Sequence, residues 1–239
     1  MAENSFDLVV IGAGPGGYHA AIRGAQLGLK VAVVEKDDGT GIGGLGGVCL
    51  NWGCIPSKSL LKNAELLNQI KDADEWGFSF DNFQADMGKA VDRSRKVSST
   101  LTQGIGYLFR KNKIELFRGA GRFTSSTTVL VEGGPELTAT NIVIATGARP
   151  RSLPGLEIDG ESVITSRNAL EMRETPNAIG IVGGGAIGVE FAYYFRAYGA
   201  EVTIFEMLDH LVPNEDEEVS AELERAYKKL GISPSMDFA

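Results

Sequence analysis

Cysteine and histidine are scarce in this chain, with two of each in 239 residues. Two cysteines do not make the disulfide framework of a small secreted domain. A metal site built on them would need about two more ligands. The only histidines are His19 and His210, each inside one of the glycine units described below, so no metal is expected. Basic residues are also short: 23 Lys and Arg stand against 31 Asp and Glu, a net charge of -8. That balance gives no general attraction to nucleic acid or to an anionic membrane surface. Long hydrophobic runs are missing. The most apolar stretch, 177–195, carries five glycines and Glu190, which argues against a membrane span. The opening Met-Ala-Glu-Asn-Ser has no basic region ahead of an apolar core, so a secretory leader is not expected and the cytoplasm is.

Glycine is abundant, at 31 residues, and it is clustered. Residues 6–11 are short, β-branched and stopped by glycine, which predicts a buried strand. The run from Gly12 to Gly17 follows, then a helix over 18–29 and a strand over 30–35. Pro56 opens a helix that reaches about residue 71, and 86–112 read as another, interrupted or ended around Gly104 and Gly106. Strands are expected at 114–117, 127–131 and 141–145. The first pattern then returns: strand 178–182, glycine turn 183–188, helix 189–198 and strand 201–205. A helix over 215–230 begins with an acidic run suited to its N-terminal end. These alternating units predict an α/β fold with two Rossmann-like dinucleotide-binding domains, 1–150 and 151–239, the second incomplete.

Gly12-x-Gly14-x-x-Gly17 and Gly183-x-Gly185-x-x-Gly188 both fit the dinucleotide fingerprint. The first glycine permits the tight turn, the second lets backbone approach a pyrophosphate, and the third lets helix and strand pack closely. The anion then meets unpaired amides at a helix N-terminus. Glu35 lies 23 residues after Gly12, and Glu206 lies 23 after Gly183. A carboxylate there can bind the adenosine ribose, and at Glu206 it would repel a 2′-phosphate, favouring NAD over NADP.

Cys49 and Cys54 sit at the mouth of a helix with four residues between them. Thiols this close can close a short disulfide ring; a metal pair and two inert buried cysteines are the competing readings. The segment Gly46-Gly47-Val48-Cys49-Leu50-Asn51-Trp52-Gly53-Cys54-Ile55-Pro56-Ser57-Lys58 closely resembles the active-site segment of the flavoprotein disulfide reductases, the class I pyridine nucleotide-disulfide oxidoreductases. Leu50, Ile55 and Ser57 favour the dihydrolipoyl dehydrogenase branch over the glutathione reductase type, with mercuric reductases a nearer rival. The resemblance runs from Asp7 to about Leu230.

That resemblance implies FAD in the first fold and NAD in the second. Gly12, Ala13, Gly14, Pro15, Gly16, Glu35 and Lys36 would hold FAD, with Gly47, Val48 and Lys58 close to it. Gly121 would touch the adenine through its backbone, and Thr146, Gly147 and Ala148 would form a second glycine turn against the cofactor. Gly183, Gly185, Ala186, Ile187, Gly188, Glu190 and Glu206 would serve NAD. Cys54 would contact the flavin and Cys49 would exchange with the substrate. The implied reaction oxidises dihydrolipoamide with NAD as acceptor, and the implied partners are a lipoyl-bearing subunit of a 2-oxoacid dehydrogenase complex and a second copy in a homodimer.

Two departures stand out. The loop 37–45 is longer than the family's. Family members are also much longer than this chain: they complete the NAD domain and add an interface domain carrying a histidine base. Residues 232–239 do not read like the family's next strand. The chain therefore looks like the N-terminal half of such an enzyme, and alone it is expected to show little dihydrolipoamide:NAD activity. The rival of another class is a truncated nucleotide-binding module without turnover.

Overall fold

A computed structural model describes residues 4–36 and 44–237. In chain order its elements are β1 (Ser5–Ile11), α1 (Pro15–Gln26), β2 (Val31–Glu35), α2 (Gly47–Trp52), α3 (Cys54–Lys71), a 3-10 turn (Ala73–Trp76), α4 (Met87–Lys111), β3 (Glu115–Arg118), β4 (Gly121–Ser125), β5 (Thr128–Val131), β6 (Glu136–Ile144), α5 (Ser166–Ala169), β7 (Ala178–Val182), α6 (Ala186–Ala197), β8 (Glu201–Phe205), α7 (Glu217–Lys229) and β9 (Ile232–Ser235). They group into two compact units, one of Met1–Pro56 with Arg95–Ser152 and one of Ser57–Ser94 with Leu153–Ala239. Residues 57–94 thus pack with the second unit although in sequence they fall between the two segments of the first.

The first unit carries a six-stranded sheet in the order β3-β2-β1-β6-β5-β4. β1 is parallel to β2 on one side and to β6 on the other, and β2 is parallel to β3. A central parallel strand is covered on both faces. That accounts for the unbroken apolar run of β1, where Val9 and Val10 are fully buried. β5 and β4 add an antiparallel extension beyond β6. Helix α1 lies on this sheet through its small residues Gly17, Ala21 and Gly24. A Cβ on Gly24 would stand 2.9 Å from Leu8 Cδ2, so a larger residue would push the helix off. Pro15 at the first turn suits a helix start, because its missing N–H would be unpaired there anyway. The helix accordingly begins ahead of the expected residue 18.

Helix α4 runs unbroken through Gly104 and Gly106, correcting the expected interruption. Each glycine costs about 1 kcal/mol relative to alanine. Burial of Ile105 and Phe109 in the core of the first unit opposes that cost.

The second unit has a three-stranded parallel sheet in the order β7-β8-β9. β9 is a further correction, since residues 232 onward were expected not to continue as a strand. Gly231 takes φ 75° after α7, which turns the chain, and Ile232 is then fully buried opposite Val202. Pro234 is accommodated because β9 stands at an edge of the described sheet. Short helix α2 and strand β4 were also not anticipated.

Candidate functional site

The first glycine turn leaves β1 at Gly12, whose φ of 103° is in the left-handed range. Its amide donates to the Val34 carbonyl at 2.7 Å. A Cβ there would collide with the Ala145 carbonyl, and a Cβ on Gly17 would collide with the carbonyl of Gly12 itself. Gly14 caps α1 without a side-chain bond, and the first turn of α1 has no acidic residue. The orphan amides of a 12-residue helix therefore have no side-chain acceptor at its cap. The Glu35 carboxylate accepts from the Ala13 amide. The Ala13 carbonyl accepts from Gly46 N at 2.8 Å, and Gly47 lies so close to Gly14 that a Cβ on it would be 2.6 Å from Gly14 Cα.

Strand β6 ends beside this turn, with Ala145 N donating to the Ile11 carbonyl at 2.8 Å. Thr146, Gly147 and Ala148 follow it and are exposed, and Gly147 has φ 73°. Gly121 opens β4; a Cβ on it would press on Ile11, Val34 and Val129 at 3.1–3.4 Å. The structure thus gathers Gly12, Ala13, Gly14, Glu35, Gly47, Gly121 and the 146–148 turn at the C-terminal end of the parallel strands. Lys36 and Val48 are exposed next to them. Of the lengthened loop, residues 37–43 lie outside the described residues.

Cys49 is half-buried in α2, and Cys54 is exposed at the first position of α3. Gly53, with φ -150° and ψ -113°, separates the two helices. Tyr18 of α1 faces this pair: burial first, and then Cys49 and Cys54, hold its phenol above the usual value. Asn51, which is 2% exposed, donates to the carbonyls of Leu45 at 2.8 Å and Gly47 at 3.0 Å. Sequence reasoning singled out neither Tyr18 nor Asn51. The sequence shows only an asparagine between two cysteines; its burial, which obliges the side chain to find partners, appears in the structure.

The second unit repeats the arrangement. Gly183 has φ 107°, and a Cβ on Gly188 would collide with the Gly183 carbonyl. Gly185 caps α6 with no side-chain bond and no acid in the first turn. Ala186 and Ile187 are exposed at that helix end. Glu206 accepts from Gly184 N at 2.6 Å and from Leu208 N at 2.9 Å. Val212 N donates to the Gly184 carbonyl at 2.8 Å, closing the loop over the turn. Lys58, which the resemblance assigns to FAD, forms an ion pair with Glu190, which it assigns to NAD. Both belong to the second unit. Lys58 is largely solvated, so the pair's contribution to stability is small. Tyr227 donates to the Val189 carbonyl at 2.7 Å, bracing α6 from α7.

The profile described as "Pyridine nucleotide-disulphide oxidoreductase" matches residues 6–237. The chain belongs to the pyridine nucleotide-disulphide oxidoreductase family. Within that family it is 47% identical over 232 residues to a dihydrolipoyl dehydrogenase of Chlorobaculum parvum, covering 95% of this chain and 48% of the relative. It is 50% identical over 235 residues to a dihydrolipoyl dehydrogenase of Mycobacterium leprae, covering 95% and 49%. The chain spans about half the length of these curated relatives. Among solved structures, LpdA of Mycobacterium tuberculosis aligns with a TM-score of 0.85 at 26% identity, covering 96% of this chain and 51% of that one. The flavoprotein disulfide reductase RclA of Escherichia coli aligns at 0.81 and 28%, covering 97% and 49%. No helix among the described residues is long and apolar enough to cross a membrane.

Proposed function

We propose that this chain supplies the nucleotide-binding and dithiol parts of an FAD-dependent dihydrolipoyl dehydrogenase that uses NAD. Residues 1–150 form the FAD-binding domain in this reading, and 151–239 contribute to the NAD-binding domain. The observation that carries it is the redox segment Cys49–Cys54 in one unit with a glycine turn whose helix N-terminus has no side-chain cap. The residues fit the cofactors: in each unit small backbone-only positions adjoin that helix end, and a carboxylate closes the second strand.

Gly12, Ala13, Gly14, Pro15 and Gly16 would hold the FAD pyrophosphate, with Glu35 at the ribose and Gly121 and the 146–148 turn beside the cofactor. Gly183, Gly185, Ala186, Ile187 and Gly188 would hold that of NAD, with Glu206 at its ribose. FAD, when bound, supplies a carrier for the electron pair on its way to NAD. The chain's own step is thiol–disulfide exchange. A dihydrolipoamide thiolate attacks Cys49 of the Cys49–Cys54 disulfide, releasing Cys54. The second lipoyl thiol then displaces Cys49, leaving lipoamide and two protein thiols. Two electrons and two protons pass from the substrate in this exchange. The substrate is carried by a lipoyl-bearing subunit of a 2-oxoacid dehydrogenase complex, and the working form is a homodimer in the cytoplasm.

The test is thiol counting on folded protein after air oxidation, with and without mild reductant. Two thiols appearing only after reduction support the exchange step; two thiols already present after oxidation contradict it.

A further inference from the structure

Trp52, the last residue of α2, stands between the two cysteines in sequence. The guanidinium carbon of Arg95 lies 4.9 Å from the centroid of its ring. The same guanidinium donates from Nη1 to the Asn51 carbonyl at 2.7 Å. The Asn51 side chain also accepts from Thr102 Oγ1 at 3.1 Å. Arg95 and Thr102 are seven residues apart on α4, which puts them on one face of that helix. All of these residues belong to the first unit. Helix α2 is therefore fastened to α4 twice, at the end that adjoins Gly53, where the chain breaks direction before Cys54.

We propose that Arg95, acting through Trp52 and Asn51, is a positioning residue for the Cys49–Cys54 pair. It holds α2 in register at Gly53 and so keeps the two thiols within bonding range of each other. The proposal rests on the reading of this pair as a redox dithiol. A disulfide requires the two Cβ atoms to be about 3.5–4.5 Å apart. A six-residue helix hinged at a glycine would carry Cys49 through a larger volume without a fastening. The effective concentration of one thiol at the other would then fall, as it does for any loosely tethered pair. Arginine suits the task better than lysine. Its planar guanidinium stacks on an aromatic face while its N–H groups bond a carbonyl, and an ammonium cannot do both with the same geometry. Its charge also lies at the C-terminal end of α2, where the last carbonyls of a helix have no intrahelical donor.

The experiment equilibrates the full chain with mixtures of glutathione and glutathione disulfide. In the exchange, Cys49 and Cys54 give up two protons and two electrons to form one S–S bond, and glutathione disulfide becomes two glutathione thiols. The fraction oxidised is read by alkylation and mass. Arg95→Ala and Trp52→Ala are expected to lower the disulfide-forming constant about tenfold, equivalent to a midpoint about 30 mV higher. Trp52→Phe, which keeps a ring under the guanidinium, is expected to restore most of the wild-type constant, and Arg95→Lys to fall between. Trp76→Phe, at the exposed tryptophan, controls for loss of an indole elsewhere. Wild-type constants in both alanine variants would overturn the proposal. If Arg95→Ala does not fold, the Arg95→Lys constant decides: equality with wild type overturns it. A wild-type chain that forms no disulfide at any glutathione ratio would instead overturn the redox reading beneath it.

Discussion

Glu206 accepts a hydrogen bond from the Gly184 amide at 2.6 Å, across 22 residues of sequence. In the first unit Glu35 does the same to Ala13, also across 22 residues. Each acid thus ties the end of a second strand to the glycine turn after the first. If a ribose lies beside each turn as proposed, it meets a carboxylate already oriented by a backbone amide.

The first prediction concerns nucleotide choice. A fixed carboxylate at Glu206 repels a 2′-phosphate, so NADH binds the chain more tightly than NADPH. Glu206→Gln narrows the gap by removing the charge while keeping an acceptor for Gly184. Fluorescence titration with both nucleotides checks this; equal affinities in the unaltered chain would count against the assignment.

A second prediction separates two kinds of glycine. Nothing lies within 4 Å of a Cβ at Gly185, and its φ is -73°. Gly185→Ala should therefore fold with almost unchanged stability yet lose affinity for NADH, because its methyl occupies the pyrophosphate's approach. Gly188→Ala instead drives a Cβ into the Gly183 carbonyl and should cost about 1–3 kcal/mol of stability. Denaturant unfolding beside the same titrations distinguishes them.

Alkaline pH supplies a third. Burial, then Glu190 and Tyr193, push the Tyr227 phenol up to about 12. Burial likewise raises Tyr18, Tyr194 and Tyr198. The folded protein holds these protons more tightly than the unfolded chain does. Their contribution to stability is complete below the ordinary phenol value of 10.0 and is lost as pH rises through the folded values. Stability should fall above pH 10, and for Tyr227 the loss should run to about pH 12. Tyr227→Phe should remove part of that slope and, by losing the bond to Val189, cost about 1 kcal/mol at neutral pH. Urea midpoints measured across this pH range read both effects.

Much of the fold was legible because glycine turns and β-branched strands are local signals. The strand Ala178–Val182 and its partner Glu201–Phe205 fall where the residues predict. β9 was missed because Ser and Pro in a four-residue segment have no strand pattern; burial of Ile232 against β8 supplies what propensity does not. Gly104 and Gly106 misled for the converse reason, since packing of α4 outweighed two weak helix formers. At the site, the glycines and acids were visible through their spacing. The Arg95–Trp52 stack was not, because the two lie 43 positions apart and only the packing of α4 beside α2 brings them together.

The central claim is that the first unit holds FAD beside a working dithiol, and an absorption titration tests it most directly. The purified chain is incubated with FAD, freed of excess, oxidised, and titrated anaerobically with dihydrolipoamide. The account predicts a retained flavin band that changes as dithiol is added, and a Cys54→Ser chain that retains the band but does not respond. A chain that retains no flavin, or a Cys54→Ser chain that responds as the unaltered one does, would contradict it.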